Sequence, residues 1–474
     1  MLKLRPFPII LMVMMLGGAA ACVRYTPKPV TAAKTLDDFE ARRLDSPDLL
    51  QFLEKNGGPA QPAAAWDLKT LTLIALYYHP DLDVARAQWA AAQAGRITAG
   101  ERPNPTLSLL TGYNSTSPVS EVTPWIPETS LEIPIETAGK RGYRIAQAQH
   151  LSEAARLNIL STAWDVRSRL RQAFLDLYGA QETETLLAAQ QEIQTENVRI
   201  LEAQLAVGEA SPSDVTQARL ALAGSKLTAN DASKQKAQSR IRLAGALGLP
   251  IRALEGAGLS FEGLLQPRLD LPTIEMRRKA LLGRADILAA LSEYAGADSA
   301  LRLEIAKQYP DLNLGPGFQL DQTDAKWTLG LSFILPLLNR NKGPIAEAEA
   351  RRTETAARFL ALQAKTIEAI ENAAASCRAA LGKIRTAEDL RQGLLKQEAA
   401  AKARYELGDI SKLEWLSIRI ELAASELARL DALVKAQQAA GELEDALQSP
   451  LDQIEGTLRT TGRSAEPAKE LKHD

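Results

Sequence analysis

Cys22 is the first residue with a chemistry of its own. It follows Lys3 and Arg5, an apolar run over residues 7–15, and the small residues Gly17, Gly18, Ala19, Ala20 and Ala21. A positive start, a short apolar stretch and small residues before a cysteine resemble a bacterial lipoprotein cleavage site, where the thiol would be acylated at the new N-terminus. The apolar stretch is too short to span a bilayer. The alternative is an ordinary secretory signal with an incidental cysteine. Val23 rather than an aspartate follows Cys22, so a lipoprotein would by default be sorted to the outer membrane. Two acids form the second candidate chemistry. Asp214 and Glu414 each lie six residues past a glycine, in the matched stretches Val207-Gly208-Glu209-Ala210-Ser211 and Leu407-Gly408-Asp409-Ile410-Ser411. Gly208 and Gly408 suit left-handed helix ends. Ser211 or Ser213, and Ser411, suit the N-caps that follow. The plain reading of either acid is a solvated first-turn residue that favours a helix N-terminus.

The remaining residue types exclude more than they offer. His79, His150 and His473 are scattered, and cleavage before Cys22 leaves Met276 as the only methionine, so no soft-ligand ladder exists. Two cysteines and three histidines cannot build a Cys/His metal cage. No Gly-rich phosphate loop occurs. A net charge of −2 lacks the basic footprint of a nucleic-acid binder. With no convergent catalytic cluster, the expectation is a non-enzyme without cofactor or resident metal. Cys377 lies in an Ala-rich helical run and reads as a small packed residue.

The elements that position these residues come in two copies. Pro80-Asp81-Leu82 lines up with Ala285-Asp286-Ile287, and Pro105-Thr106-Leu107-Ser108-Leu109 with Pro310-Asp311-Leu312-Asn313-Leu314. Tyr113 matches Phe318, Ile133-Pro134-Ile135 matches Leu335-Pro336-Leu337, and Lys140 matches Lys342. The turns at Gly208 and Gly408, and then Arg219 with Arg419, continue the series in unbroken order. A collinear series implies duplication. Each copy reads as helix, strand hairpin, very long helix, helix. The hairpins alternate: Leu131, Ile133 and Ile135 against Glu132, Pro134 and Glu136; Trp327, Leu329, Leu331 and Phe333 against Thr328, Gly330 and Ser332. Such runs are long enough to cross a membrane when tilted; the alternative is a soluble hairpin with one buried face. The spans at about 142–205 and 344–407, the first without proline and the second with none after Pro344 at its start, each predict a helix of roughly 95 Å, and their shorter partners roughly 54 Å. Aromatics are only 5% of the chain, which favours long helices over a large aromatic core.

At this level the chain resembles the TolC family of outer-membrane efflux channels, over roughly residues 67–448. The Pro-bounded strand pairs, the Gly208 and Gly408 turns, and above all residues 132–141 (Glu-Ile-Pro-Ile-Glu-Thr-Ala-Gly-Lys-Arg) carry the resemblance. The last is similar to the branch found beside heavy-metal exporters. The resemblance implies a mainly α fold with a small membrane β-barrel contribution: a homotrimeric α-barrel tunnel through the periplasm, with four strands per chain in a twelve-stranded barrel. Elementary physics agrees, since four strands cannot close a barrel and open edges in hydrocarbon leave backbone groups unpaired.

The resemblance also implies roles. The turns at Gly208, Ser211, Gly408 and Ser411 would meet a periplasmic adaptor protein. Glu414, with Asp214, would narrow the pore. Tyr405 and Asp214 match members of a hydrogen-bonded latch, whose arginine position is Ile410 here, with Lys412 nearby. The expected organisation is a signal peptide at 1–22, an extended N-terminal segment at 23–66, a first repeat at 67–248, a linker at 249–271, a second repeat at 272–448 and a mobile tail at 449–474. The expected function is a passive outer-membrane conduit for metal ions or small toxic compounds, working with an adaptor and an inner-membrane pump and lipid-anchored at Cys22. A periplasmic adaptor or structural coiled-coil lipoprotein is the alternative; it explains the helices but not the duplicated hairpins.

Overall fold

A computed structural model describes residues 25–61, 63–115, 123–267, 271–321 and 324–449. Cys22 with the signal peptide, and the tail beyond residue 449, lie outside the described residues. The chain divides into two units, residues 1–43 and 44–474. In the first, the described residues form helix α1 (Ala32–Glu40), followed by Arg42, whose guanidinium lies 5.2 Å over the Phe39 ring.

The second unit begins with α2 (Pro47–Lys55) and the two-residue strand β1 (Ala65–Trp66). Against expectation, the span 23–66 is therefore not extended throughout. Pro47 occupies the first turn of α2, where its missing N–H costs nothing. Leu49 and Leu53, one turn apart, are fully buried. The expected linker at 249–271 contains β4 (Gly258–Leu259), which pairs parallel with β1.

The first copy holds α3 (Leu68–Tyr78), α4 (Pro80–Gly100), β2 (Thr106–Tyr113), β3 (Trp125–Ile135), α5 (Lys140–Ala206) and α6 (Pro212–Leu247). The second holds α7 (Ile274–Gly283), α8 (Ala285–Ala306), β5 (Leu312–Asp321), β6 (Asp324–Phe333), α9 (Lys342–Glu406) and α10 (Lys412–Leu447). With 67 and 65 residues, α5 and α9 are each about 100 Å long. Both begin just after a left-handed residue, Gly139 (φ 72°) and Asn341 (φ 58°). Between α3 and α4 the chain kinks at His79, because the residue before a proline disfavours the helical region. The equivalent kink at Arg284 has no proline. Its guanidinium holds Asp286 at 2.6 Å and donates to the carbonyls of Asp445 and Ala446 at the end of α10.

The four long strands form one antiparallel sheet in the order β2-β3-β5-β6. Like residues pair: Leu314 with Leu331, Gly315 with Gly330, Gly317 with Thr328. One face is thus apolar, as the alternation predicted. The β3–β5 ladder lapses opposite Gly315 and Pro316, where proline offers no N–H. Each hairpin carries an aromatic pair toward its turn, Tyr113–Trp125 edge-on and Phe318–Trp327 tilted. Among the described residues no helix is long and apolar enough to cross a membrane.

The main core lies where α5 meets α3, α6 and α2: Phe174, Leu170 and Leu175 pack with Leu71, Ile74, Leu243, Leu247, Leu49 and Leu53. Phe174 and Phe261 bring their rings within 4.7 Å. A second core sets the small residues Ala373, Cys377, Ala436, Ala439 and Ala440 among Ile370, Leu443 and Leu447, which lets α9 and α10 approach closely. Between the copies lies a buried ionic cluster. Arg167 of α5 donates to Glu444 of α10 at 2.6 Å, and Arg171 donates to the Gln437 carbonyl at 2.6 Å. A Cβ at Gly441 would lie 2.0 Å from the Arg171 guanidinium, so any larger residue there would displace that arginine from its place.

Candidate functional site

The two helix–turn–helix tips carry the candidate residues. At each, the long helix stops on a left-handed glycine, Gly208 (φ 81°) and Gly408 (φ 83°). The next amide reaches back five residues: Glu209 N–H donates to Gln204 O at 2.8 Å, and Asp409 N–H to Arg404 O at 2.9 Å. This is the Schellman arrangement, which satisfies carbonyls left over at a helix end. A Cβ on either glycine would meet nothing within 4 Å, so the demand for glycine is purely conformational.

Ser211, not Ser213, caps α6. Its Oγ accepts from the Asp214 amide at 3.1 Å, and the Asp214 carboxylate accepts from the Ser211 amide at 3.1 Å. This reciprocal box commits the Asp214 side chain to the turn. Ser411 caps α10 in the same way, accepting from the Glu414 amide at 3.2 Å. Glu414 is one methylene longer and makes no return bond among the described contacts; it is exposed, with its carboxylate turned to solvent. The two acids, matched in sequence, thus differ: Asp214 is used locally and Glu414 is available.

Tyr405 lies on the last turn of α9. Its ring stacks on Trp415 of α10, 5.2 Å between centroids and 14° between planes. Trp415 donates its indole N–H to Glu398 at 3.0 Å, and the Arg419 guanidinium lies 5.2 Å over the same ring. Among the described residues no hydrogen bond joins Tyr405 to Asp214. The stacked cluster escaped the sequence reading, although a tryptophan in an aromatic-poor chain was a usable signal. Ile410, at the expected arginine position, is buried. Lys412 instead crosses from the second tip to α5 of the first copy, donating to Glu196 at 2.5 Å. Arg199 grips the same carboxylate at 2.7 Å. Hydrogen bonds from Arg199 and then Lys412 hold the Glu196 carboxyl down to about 2. One charged contact therefore ties the two hairpins together near their tips. Among the described residues no group of three or more His, Cys, Asp or Glu side chains is placed to hold a metal ion.

Comparison with known proteins agrees with this arrangement. A family profile described as "Outer membrane efflux protein" matches residues 73–249 and 276–448, one match per copy. The cobalt-zinc-cadmium resistance protein CzcC of Cupriavidus metallidurans is 25% identical over 400 residues, 82% of this chain and 91% of that protein. Among solved structures, the CmeC outer membrane channel of Campylobacter jejuni superimposes with a TM-score of 0.68 at 18% identity, covering 84% of this chain and 88% of that one. The outer membrane protein VceC of Vibrio cholerae gives 0.65 at 21% identity, covering 81% and 96%. With the duplicated hairpin, the paired long helices and the two tips all inside the matched residues, the chain belongs to the outer membrane efflux protein family.

Proposed function

We propose that three copies of this chain close a twelve-stranded barrel continued by an α-helical tunnel, and that the assembly is the passive outer-membrane conduit of a tripartite efflux system. The observation that carries this reading is the four-stranded sheet, apolar along one face and open at both edges, β2 and β6. Open edges in hydrocarbon are untenable, and further copies are the simplest way to satisfy them. The helices support the same closure. α6 buries Val215, Ala218, Ala232 and Ser239 along one seam, yet exposes Leu220, Leu227 and Ile241 on the opposite face. That second apolar stripe suits a neighbouring helix, as a ring of helices requires.

In this reading the tips at Gly208–Ser211 and Gly408–Ser411 face the periplasm and receive the adaptor, which links the channel to an inner-membrane pump. Glu414 narrows the pore as a ring of acids, Asp214 contributes less because its carboxylate caps its own helix, and Tyr405 and Asp214 belong to the contacts that hold the tips together. Cys22 carries the lipid anchor. Metal ions or small toxic compounds are the cargo; the metal-resistance name of the Cupriavidus relative favours metals. Native mass in detergent, measured beside planar-bilayer conductance, tests the assembly: three chains with conductance are expected, and a single-chain mass with conductance intact defeats the reading. Loss of the gene should raise sensitivity to divalent transition metals; unchanged metal tolerance would move the cargo to organic compounds.

A further inference from the structure

The seam between copies inside the chain supplies a template for the seam between chains. The two hairpins share one register: Leu107 pairs with Leu131 as Leu312 pairs with Phe333, each residue displaced by the offset of its own strand (205 positions for β2 to β5, 202 for β3 to β6). The offset of 202 also carries Gly139, the left-handed residue before α5, onto Asn341, the left-handed residue before α9. Beyond its hairpin, β3 runs on against β5 of the second copy, with Ile133 opposite Leu314, Pro134 opposite Asn313 and Ile135 opposite Leu312. Just past it, the ammonium of Lys140 is buried at that seam. It donates to the Tyr309 carbonyl at 2.6 Å and to Asp311 at 2.8 Å.

The second copy has the same parts and no partner for them. β6 stops at Phe333, and residues 334–340 form no strand. Leu335 is 62% exposed and Leu337 73%, with the Leu337 amide turned back on the Leu335 carbonyl at 2.8 Å. Lys342 is exposed and makes no hydrogen bond or ion pair among the described contacts, whereas its counterpart Lys140 is 7% exposed.

We infer that residues 335–337 complete β6 as a strand against β2 of a second copy of this chain, with Leu335 opposite Leu109, Pro336 opposite Ser108 and Leu337 opposite Leu107, and that Lys342 seats on the backbone carbonyl of Asn104 and the hydroxyl of Thr106 in that copy. The partner positions follow from the displacements above: Leu314, Asn313 and Leu312 map to Leu109, Ser108 and Leu107, while Tyr309 and Asp311 map to Asn104 and Thr106. Thr106 replaces a carboxylate, so the lysine between chains forms hydrogen bonds where the one within the chain forms an ion pair. The lysine enters behind the last strand residues, so it sets the register as well as joining the copies. The inference rests on the trimeric reading above and specifies its seam.

Paired cysteines read the register directly. Leu337→Cys with Leu107→Cys, and separately Leu335→Cys with Leu109→Cys, should give disulfide-linked dimers and trimers on a denaturing gel after mild oxidation. Leu337→Cys with Ser108→Cys should not, because a one-residue slip sends the two side chains to opposite faces. Lys342→Cys with Asn104→Cys should be joined between chains by a short bis-maleimide. Native mass of the unmodified protein is measured alongside. A trimeric mass with no link at either strand pair, or with the slipped pair linked instead, overturns the register while leaving the trimer standing. Strand links without the maleimide link overturn the lysine seat. A monomeric mass removes the trimer itself, and the inference with it.

Discussion

Glu414 and Asp214 show how matched residues part company through one methylene. Asp214 reaches its own N-cap amide and is spent there, whereas Glu414 is left with a free carboxylate. If three such carboxylates converge on the pore axis, they attract cations. Glu414→Gln should then reduce cation selectivity in planar-bilayer recordings and weaken block by multivalent cations. Glu421→Gln, two turns along the helix, should change both less; equal effects would remove the acidic constriction. Lys412 and Glu196 make a second prediction. The folded-state pKa of Glu196 lies below its ordinary 4.5, near 2. The contact therefore contributes fully above about pH 4.5 and is lost as the pH falls toward about 2. Amide exchange at the tips should accelerate across that window, and Lys412→Ala should raise exchange at neutral pH while flattening the acid response. These pairings were hidden from sequence reading because Glu196 and Lys412 are separated by 216 positions, and nothing local marks either as the other's partner.

The long elements were legible for a reason that does not extend to the short ones. A helix of 67 residues without proline, or a strand that alternates over ten, repeats its signal enough times to outweigh any single residue. α6 and α10 begin just after Ser211 and Ser411, both among the N-caps the sequence offered, since serine and glycine punctuate these turns. α1 and α2 are nine residues each, too short to repeat a periodic signal, and the burial of Leu49 and Leu53 depends on partners distant in the chain. The sheet offers a test of its faces. Leu331 lies on the apolar face and Thr328 on the opposite, small-residue face. Leu331→Arg should impair assembly more than Thr328→Arg, because a charge facing lipid at the midplane costs about 2–4 kcal/mol. Equal yields of membrane-inserted oligomer from the two would reverse the assigned faces.

At the scale of the whole molecule, membrane attachment is expected to have two origins, the barrel and the acyl group at Cys22. Cys22→Ser should abolish incorporation of labelled fatty acid and weaken anchoring, while the barrel still permits some insertion. Undiminished label in the variant would return residues 1–22 to an ordinary secretory signal. The buried cluster of Arg167, Arg171 and Glu444 bears on how such a ring is ordered. Glu444, Gly441 and Gln437 have Ala244, Ile241 and Ala237 as their counterparts 200 positions earlier. The first half can neither neutralise those arginines nor make room for them. A chain fused from two first halves would bury Arg167 against alanine with no carboxylate in reach, at a cost of about 3–5 kcal/mol. The duplicated halves have ceased to be spare copies of one another. In the proposed ring they would alternate like two coins of different edge, and no half could take its sibling's turn.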